Sequence, residues 1–162
     1  MANWIYGSMS ISGPIKRVWA FLNDGIQEMH NSDETPAPCN FFLNEDGEID
    51  SHEYKGQSMH IRDSNRHFIE FDLEEGFEYD HENGTVDVYM STEIAWGQDV
   101  DVIRKISEYG LRVESFGEEW GMMFAQHFVF EDGKMLKDSY ITLTGEDYEA
   151  NYDEDWEWED EE

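Results

Sequence analysis

Apolar and polar residues alternate with period two from Trp4 to Ile11, with Ile5, Met9 and Ile11 on one side and Tyr6, Ser8 and Ser10 on the other, which predicts a half-buried strand. The Gly13-Pro14 step breaks that pattern, and Ile15, Val18, Trp19 and Leu22 then recur at helical spacing. Pro14 suits a first helical turn and Ser12 or Gly13 a cap, so the chain opens on a strand followed by a helix.

From about His30 to Tyr54 the periodicity is lost among polar residues, Pro36, Pro38 and Gly47, with Phe41-Phe42-Leu43 as the one apolar run. This reads as a loop-rich insertion over residues 30–58. Phe68 to Leu73 predicts a strand, Asp80 to Gly84 a polar turn, and Val86, Val88, Met90 and Thr92 alternate with Asp87, Tyr89, Ser91 and Glu93 in a clearer strand that ends before Trp96-Gly97. Asp99 stands at the start of a helix with Val102, Ile103 and Ile106 on one face and Gly110 as C-cap; Asp99 and Asp101 at its beginning and Arg104 and Lys105 further along complement the helix dipole. Two strands follow, Leu111 to Glu118 and Met122 to Phe130, and Glu131-Asp132-Gly133-Lys134 turns the chain into a last one at Tyr140 to Leu143. The prediction is an α+β domain over residues 1–145 with a mostly antiparallel sheet, and a separate acidic, aromatic tail over residues 146–162.

Charge changes the picture most. Asp plus Glu number 39 against 10 Lys plus Arg, a formal net charge of −29 on 162 residues. Such a charge with low hydrophobicity marks disorder, but 39% hydrophobic and 15% aromatic residues supply one domain-sized core. Retaining the self-repulsion points to use of the field on an outside partner. Nucleic acid and anionic membrane are repelled as direct ligands, so the expected partner is basic. The single Cys39 forms no internal disulfide, and no basic stretch precedes an apolar run of signal-peptide or membrane-span type, which leads to the expectation of a reducing, cytoplasmic setting.

Candidate chemistry is sparse. The six histidines (His30, His52, His60, His67, His81, His127) show neither H-E-x-x-H nor paired spacing, and one cysteine cannot build a cysteine-rich zinc site. Asn44-Glu45-Asp46-Gly47-Glu48 and Asp153-Glu154-Asp155 lack the ligand order of an EF-hand loop. Cys39 lies between Pro38 and Asn40 with histidines only at a distance in sequence, and no glycine-rich phosphate loop occurs. The expectation is therefore no enzyme, no metal and no cofactor. The acidic residues Glu70, Asp72, Glu74, Glu75, Glu78, Asp80, Glu114, Glu118 and Glu119 in the domain, and Asp153, Glu154, Asp155, Trp156, Glu157, Trp158, Glu159 and Asp160 in the tail, are the candidate partner-binding residues. Trp156 and Trp158 are costly to leave in water and are read as anchors, on the domain or on the partner.

The residues Asn3-Trp4 running to Gly13, Ser91-Thr92-Glu93-Ile94-Ala95-Trp96, Leu111-Arg112-Val113-Glu114, Glu118 through Ala125 and Phe128-Val129-Phe130-Glu131-Asp132-Gly133 resemble the YubB ferredoxin-like family of plasmid and phage proteins. The resemblance is strongest over residues 1–25 and 86–133. It implies a ferredoxin-like sandwich, two helices packed on one face of an antiparallel sheet, and a home on mobile genetic elements; it brings no catalytic residues. With the charge, it suggests a DNA-mimicking inhibitor of a host defence complex, of anti-restriction or anti-CRISPR type. A mobile-element accessory protein that binds one basic partner without mimicry is the second reading, and adaptation to high salt a third.

Overall fold

A computed structural model describes residues 3–28, 39–62, 64, 66–144 and 146. In chain order the elements are β1 (Trp4–Pro14), α1 (Ile15–Asp24), β2 (Ile26–Glu28), β3 (Phe41–Leu43), β4 (Ile49–Ser51), β5 (Met59–Ile61), β6 (His67–Phe71), β7 (Phe77–Asp80), β8 (Thr85–Ala95), α2 (Val100–Ser107), β9 (Arg112–Glu119), β10 (Phe124–Glu131) and β11 (Lys134–Thr142). The fold is thus a mostly antiparallel sheet with two helices.

One sheet runs in the order β11-β10-β9-β1-β8-β6-β5-β2, with β7 also pairing β8; β3 and β4 form a separate two-stranded sheet. The long central ladder pairs β1 with β8 from Trp4↔Ala95 to Pro14↔Thr85, and β1 with β9 from Tyr6↔Glu118 to Ser12↔Arg112. Gly7 lies opposite Gly117, and a Cβ on Gly7 would strike the Phe116 carbonyl, so the close backbone approach in this ladder requires glycine there.

Alternation sorts the side chains of these strands. Met9 and Ile11 of β1, Val86, Val88 and Met90 of β8, Val113 of β9 and Phe128 and Phe130 of β10 are buried in one apolar cluster with Val18, Phe21 and Leu22 of α1 and Val102, Ile103 and Ile106 of α2. Asp99 caps α2 as predicted, its side chain accepting from the backbone N–H of Asp101 and Val102. The other helix differs from prediction. Pro14 itself occupies the N-cap position of α1, no side chain caps it, and Ser12 and Gly13 remain in the strand. A proline sets φ there and leaves one fewer orphan N–H to satisfy.

The stretch read as a loop carries more order than its composition suggests. Phe41–Leu43 pairs with Ile49–Ser51, and this small hairpin is tied to α1: Trp19 Nε1 donates to the Phe41 carbonyl at 2.6 Å, and the Phe41 N–H donates to Asn23 Oδ1 at 2.8 Å. Met59–Ile61 joins the main sheet through β6 and β2. Residues 29–38 lie outside the described ones. The last strand begins at Lys134, six residues before its predicted start, because Asp132 (φ 48°) and Gly133 (φ 79°) turn the chain tightly back along β10.

Candidate partner-binding face

The side of the sheet turned away from the apolar cluster is open around β8 and β1, whereas Ala125 and Val129 of β10 and His60 of β5 are buried on that same side. The registers lay it out in rows. One row reads His60, Phe68, Glu93, Tyr6, Glu118 and Ala125 across β5, β6, β8, β1, β9 and β10. The next reads Glu70, Ser91, Ser8, Phe116 and His127; a third Tyr89, Ser10 and Glu114; a fourth Glu78, Asp87, Ser12 and Arg112. Tyr6 and Tyr89 are 56% and 50% exposed, far more than a sheet buried on both faces allows. The central strand contributes only Ser8, Ser10 and Ser12 below Tyr6, leaving a low trough between the longer side chains of β8 and β9.

Acid is concentrated on the β6, β7 and β8 side. Glu78 and Asp87 are direct cross-strand neighbours of like charge, a destabilising arrangement in a sheet. Glu70 and Glu93 line a groove of about 240 Å³ with Phe68, Ser91 and Ser58. On the other side of the trough the carboxylates have local partners: His127 Nε2 lies 2.7 Å from Glu114 Oε1, and Trp120 Nε1 donates to Glu118 Oε2 at 3.0 Å. Trp4, 37% exposed, packs against Phe68 with ring centroids 6.0 Å apart. Trp96, at the same end of the sheet, is 69% exposed and has a positive φ of 65°. Arg66 fixes that end by donating to the Ala95 and Gly97 carbonyls and pairing with Asp99 at 3.4 Å.

The predicted residues therefore separate. Glu70, Glu78, Glu114 and Glu118 share the open face, and Asp80 continues the Glu78 side of β7 at Thr85. Asp72 belongs to a turn: its Oδ1 accepts from the N–H of Glu74 at 2.8 Å and of Glu75 at 2.9 Å, which holds its carboxyl below the usual carboxylate range. Asp80 is likewise lowered, chiefly by the Asn83 side chain. Glu74 and Glu75 are exposed in that turn, outside the rows. Glu119 departs from the predicted exposed position: it is 4% exposed and lies on the opposite side of β9 from Glu118, where its oxygens accept from the N–H of Gly121 and Met122 at 2.9 and 2.6 Å and close a turn. Asp153, Glu154, Asp155, Trp156, Glu157, Trp158, Glu159 and Asp160 lie outside the described residues. Glu93, Asp87, Phe68, Tyr6 and Tyr89 share this face without being among the predicted residues, although the alternation in β1 and β8 already sets most of them on one side.

Among the described residues no group of three or more His, Cys, Asp or Glu is arranged to hold a metal ion. Cys39 is buried, with Sγ 3.4 Å from Glu28 Oε1, and burial followed by that carboxylate pushes its thiol up to about 12. A thiol in that state is a poor nucleophile. Ellman's reagent at pH 8 is expected to leave the folded protein unmodified and to titrate one thiol after denaturation; rapid reaction of the folded protein would show that Cys39 is accessible. No described helix is long and apolar enough to cross a membrane.

Comparison with known proteins finds no matching family model, no matching curated protein and no matching solved structure.

Proposed function

We propose that the protein is a non-catalytic inhibitor, carried by a phage or plasmid, whose acidic sheet face imitates the charge of DNA and occupies the nucleic-acid-binding site of a host defence complex in the cytoplasm. The observation that carries this reading is the open face itself, where Glu70, Glu78, Asp80, Asp87, Glu93, Glu114 and Glu118 are exposed or half-buried around a trough of small hydroxyl residues. From Asp87 to Glu93 the strand spans about 20 Å. A duplex of that length carries about twelve phosphates on its two strands. Seven carboxylates are close to what a protein gripping one side of a duplex meets. The unfavourable Glu78–Asp87 pair fits selection for an outside partner over stability.

The same proposal takes the core as ferredoxin-like, with both helices on one face. Its support is the order β9-β1-β8-β6 with α1 following β1 and α2 joining β8 to β9, which is a split βαβ pair; β10-β11 and β5-β2 extend it on either side. The resemblance to plasmid and phage proteins supplies the mobile-element origin.

A second reading, an accessory protein that binds one basic partner without mimicry, is favoured by β11, where Met135, Leu136, Tyr140 and Ile141 are exposed and which forms the edge of the sheet among the described residues. Expression of the chain in cells that restrict incoming DNA separates the two. Mimicry predicts that phage plating and plasmid uptake rise in hosts with several unrelated DNA-gripping defences. Rescue in none of them would overturn it.

A further inference from the structure

We infer that the partner meets this face with arginine in preference to lysine, and that the Tyr6–Glu93–Phe68 row is the receptor for its guanidinium groups. The inference rests on the acidic face being the partner-binding surface. Across the strands the row alternates ring and carboxylate: Phe68 lies directly opposite Glu93, and Glu93 directly opposite Tyr6. Neighbouring strands are about 4.8 Å apart. A group bound to Glu93 is therefore in reach of an aromatic ring on either side. Trp4 packs on Phe68 and limits the freedom of its ring. Beside Glu93 the 240 Å³ groove adds the Glu70 carboxylate and the hydroxyl-bearing Ser58 and Ser91, all able to accept hydrogen bonds.

That combination discriminates between cations. A guanidinium is planar and weakly hydrated; it can stack on a ring while its forked N–H groups address a carboxylate at its edge. An ammonium is a compact, strongly hydrated charge that profits from the carboxylates and little from the rings at an exposed site. Nucleobases would also stack on Tyr6 and Phe68, but their phosphates would then lie against Glu70 and Glu93. Arginine is the common phosphate-gripping side chain that satisfies both parts of the row.

Isothermal titration of the full chain with hexa-arginine and hexa-lysine at low salt tests this directly. Hexa-arginine is expected to bind about tenfold more tightly. Tyr6→Leu, an exposed position where folding is little affected, is expected to cut that preference to about threefold, and Tyr6→Leu with Phe68→Leu to remove it, while hexa-lysine affinity stays within about twofold. Glu93→Gln is expected to weaken both peptides. Equal affinities in the parent chain, a preference that survives loss of both rings, or no binding of either peptide would overturn the inference. The outcomes separate from those for function: equal peptide affinities with a captured defence complex that DNA displaces would end the arginine assignment alone, and arginine preference without such capture would end the mimicry reading alone.

Discussion

Replacing Glu70, Glu78, Asp87 and Glu93 together by Gln and Asn is expected to weaken partner binding about 100-fold at low salt while raising the stability of the free protein. Each exposed carboxylate in a complementary interface contributes on the order of 0.5–1 kcal/mol, and four of them reach the roughly 2.7 kcal/mol that a hundredfold change requires. Screening shrinks the difference as ionic strength rises, since the Debye length falls from about 10 Å at 0.1 M to about 3 Å at 1 M. Stability moves the other way because Glu78 and Asp87 repel each other directly across the β7–β8 pair. Relief of roughly 0.5–1 kcal/mol corresponds to a rise of a few degrees in Tm for a chain of this size. Thermal melts and binding titrations on the same preparation read both effects. A fall in both quantities would assign these carboxylates to the fold, and unchanged affinity would move the interface elsewhere.

Acid is expected to destabilise the protein through His67. Its side chain is fully buried on the covered side of β6, and neither ring nitrogen has a hydrogen-bond partner among the described residues; the hydroxyls of Ser64 and Thr92 are likewise buried and unpartnered. Burial lowers its pKa to about 4 from the usual 6.5, with Asp99 opposing and Arg66 reinforcing the shift. The unfolded chain therefore takes up the proton first. The stabilisation is complete above pH 6.5, declines as pH falls, and is lost by about pH 4, a total of about 3 kcal/mol. Over the same range the carboxylates begin to protonate, which relieves the repulsion of a chain of net charge −29 and works in the opposite direction. His67→Leu isolates the histidine. In urea unfolding from pH 7 to pH 4, the parent is expected to lose about 3 kcal/mol more than the variant. Parallel pH profiles would show that His67 accepts its proton in the folded state at no cost.

Local pattern carried much of this fold. The alternation in β1 and β8, the Asp99 cap and the Asp132-Gly133 turn can all be read without coordinates, because each depends on residues adjacent in the chain. The three-residue strands β2, β3, β4 and β5 were hidden because so short a run carries almost no periodicity; their order comes from contacts such as Asn23 with Phe41. The open face was half legible. Alternation set Asp87 and Glu93 beside Tyr89, but that Glu93 adjoins Tyr6 and Phe68 depends on the β8–β1 and β8–β6 registers. Glu118 and Glu119 show the limit most plainly: consecutive acids point to opposite sides of one strand, one to the open face and one into a turn.

The central claim is that this face stands in for DNA. It is tested most directly by immobilising the full chain, capturing proteins from a lysate that contains defence nucleases, and challenging the bound fraction with duplex DNA at constant salt. Release of a nucleic-acid-binding complex by DNA, and its failure to bind the Glu70→Gln, Glu78→Gln, Asp87→Asn, Glu93→Gln variant, is the predicted result. A captured complex that DNA cannot release, or that the variant retains, would contradict it.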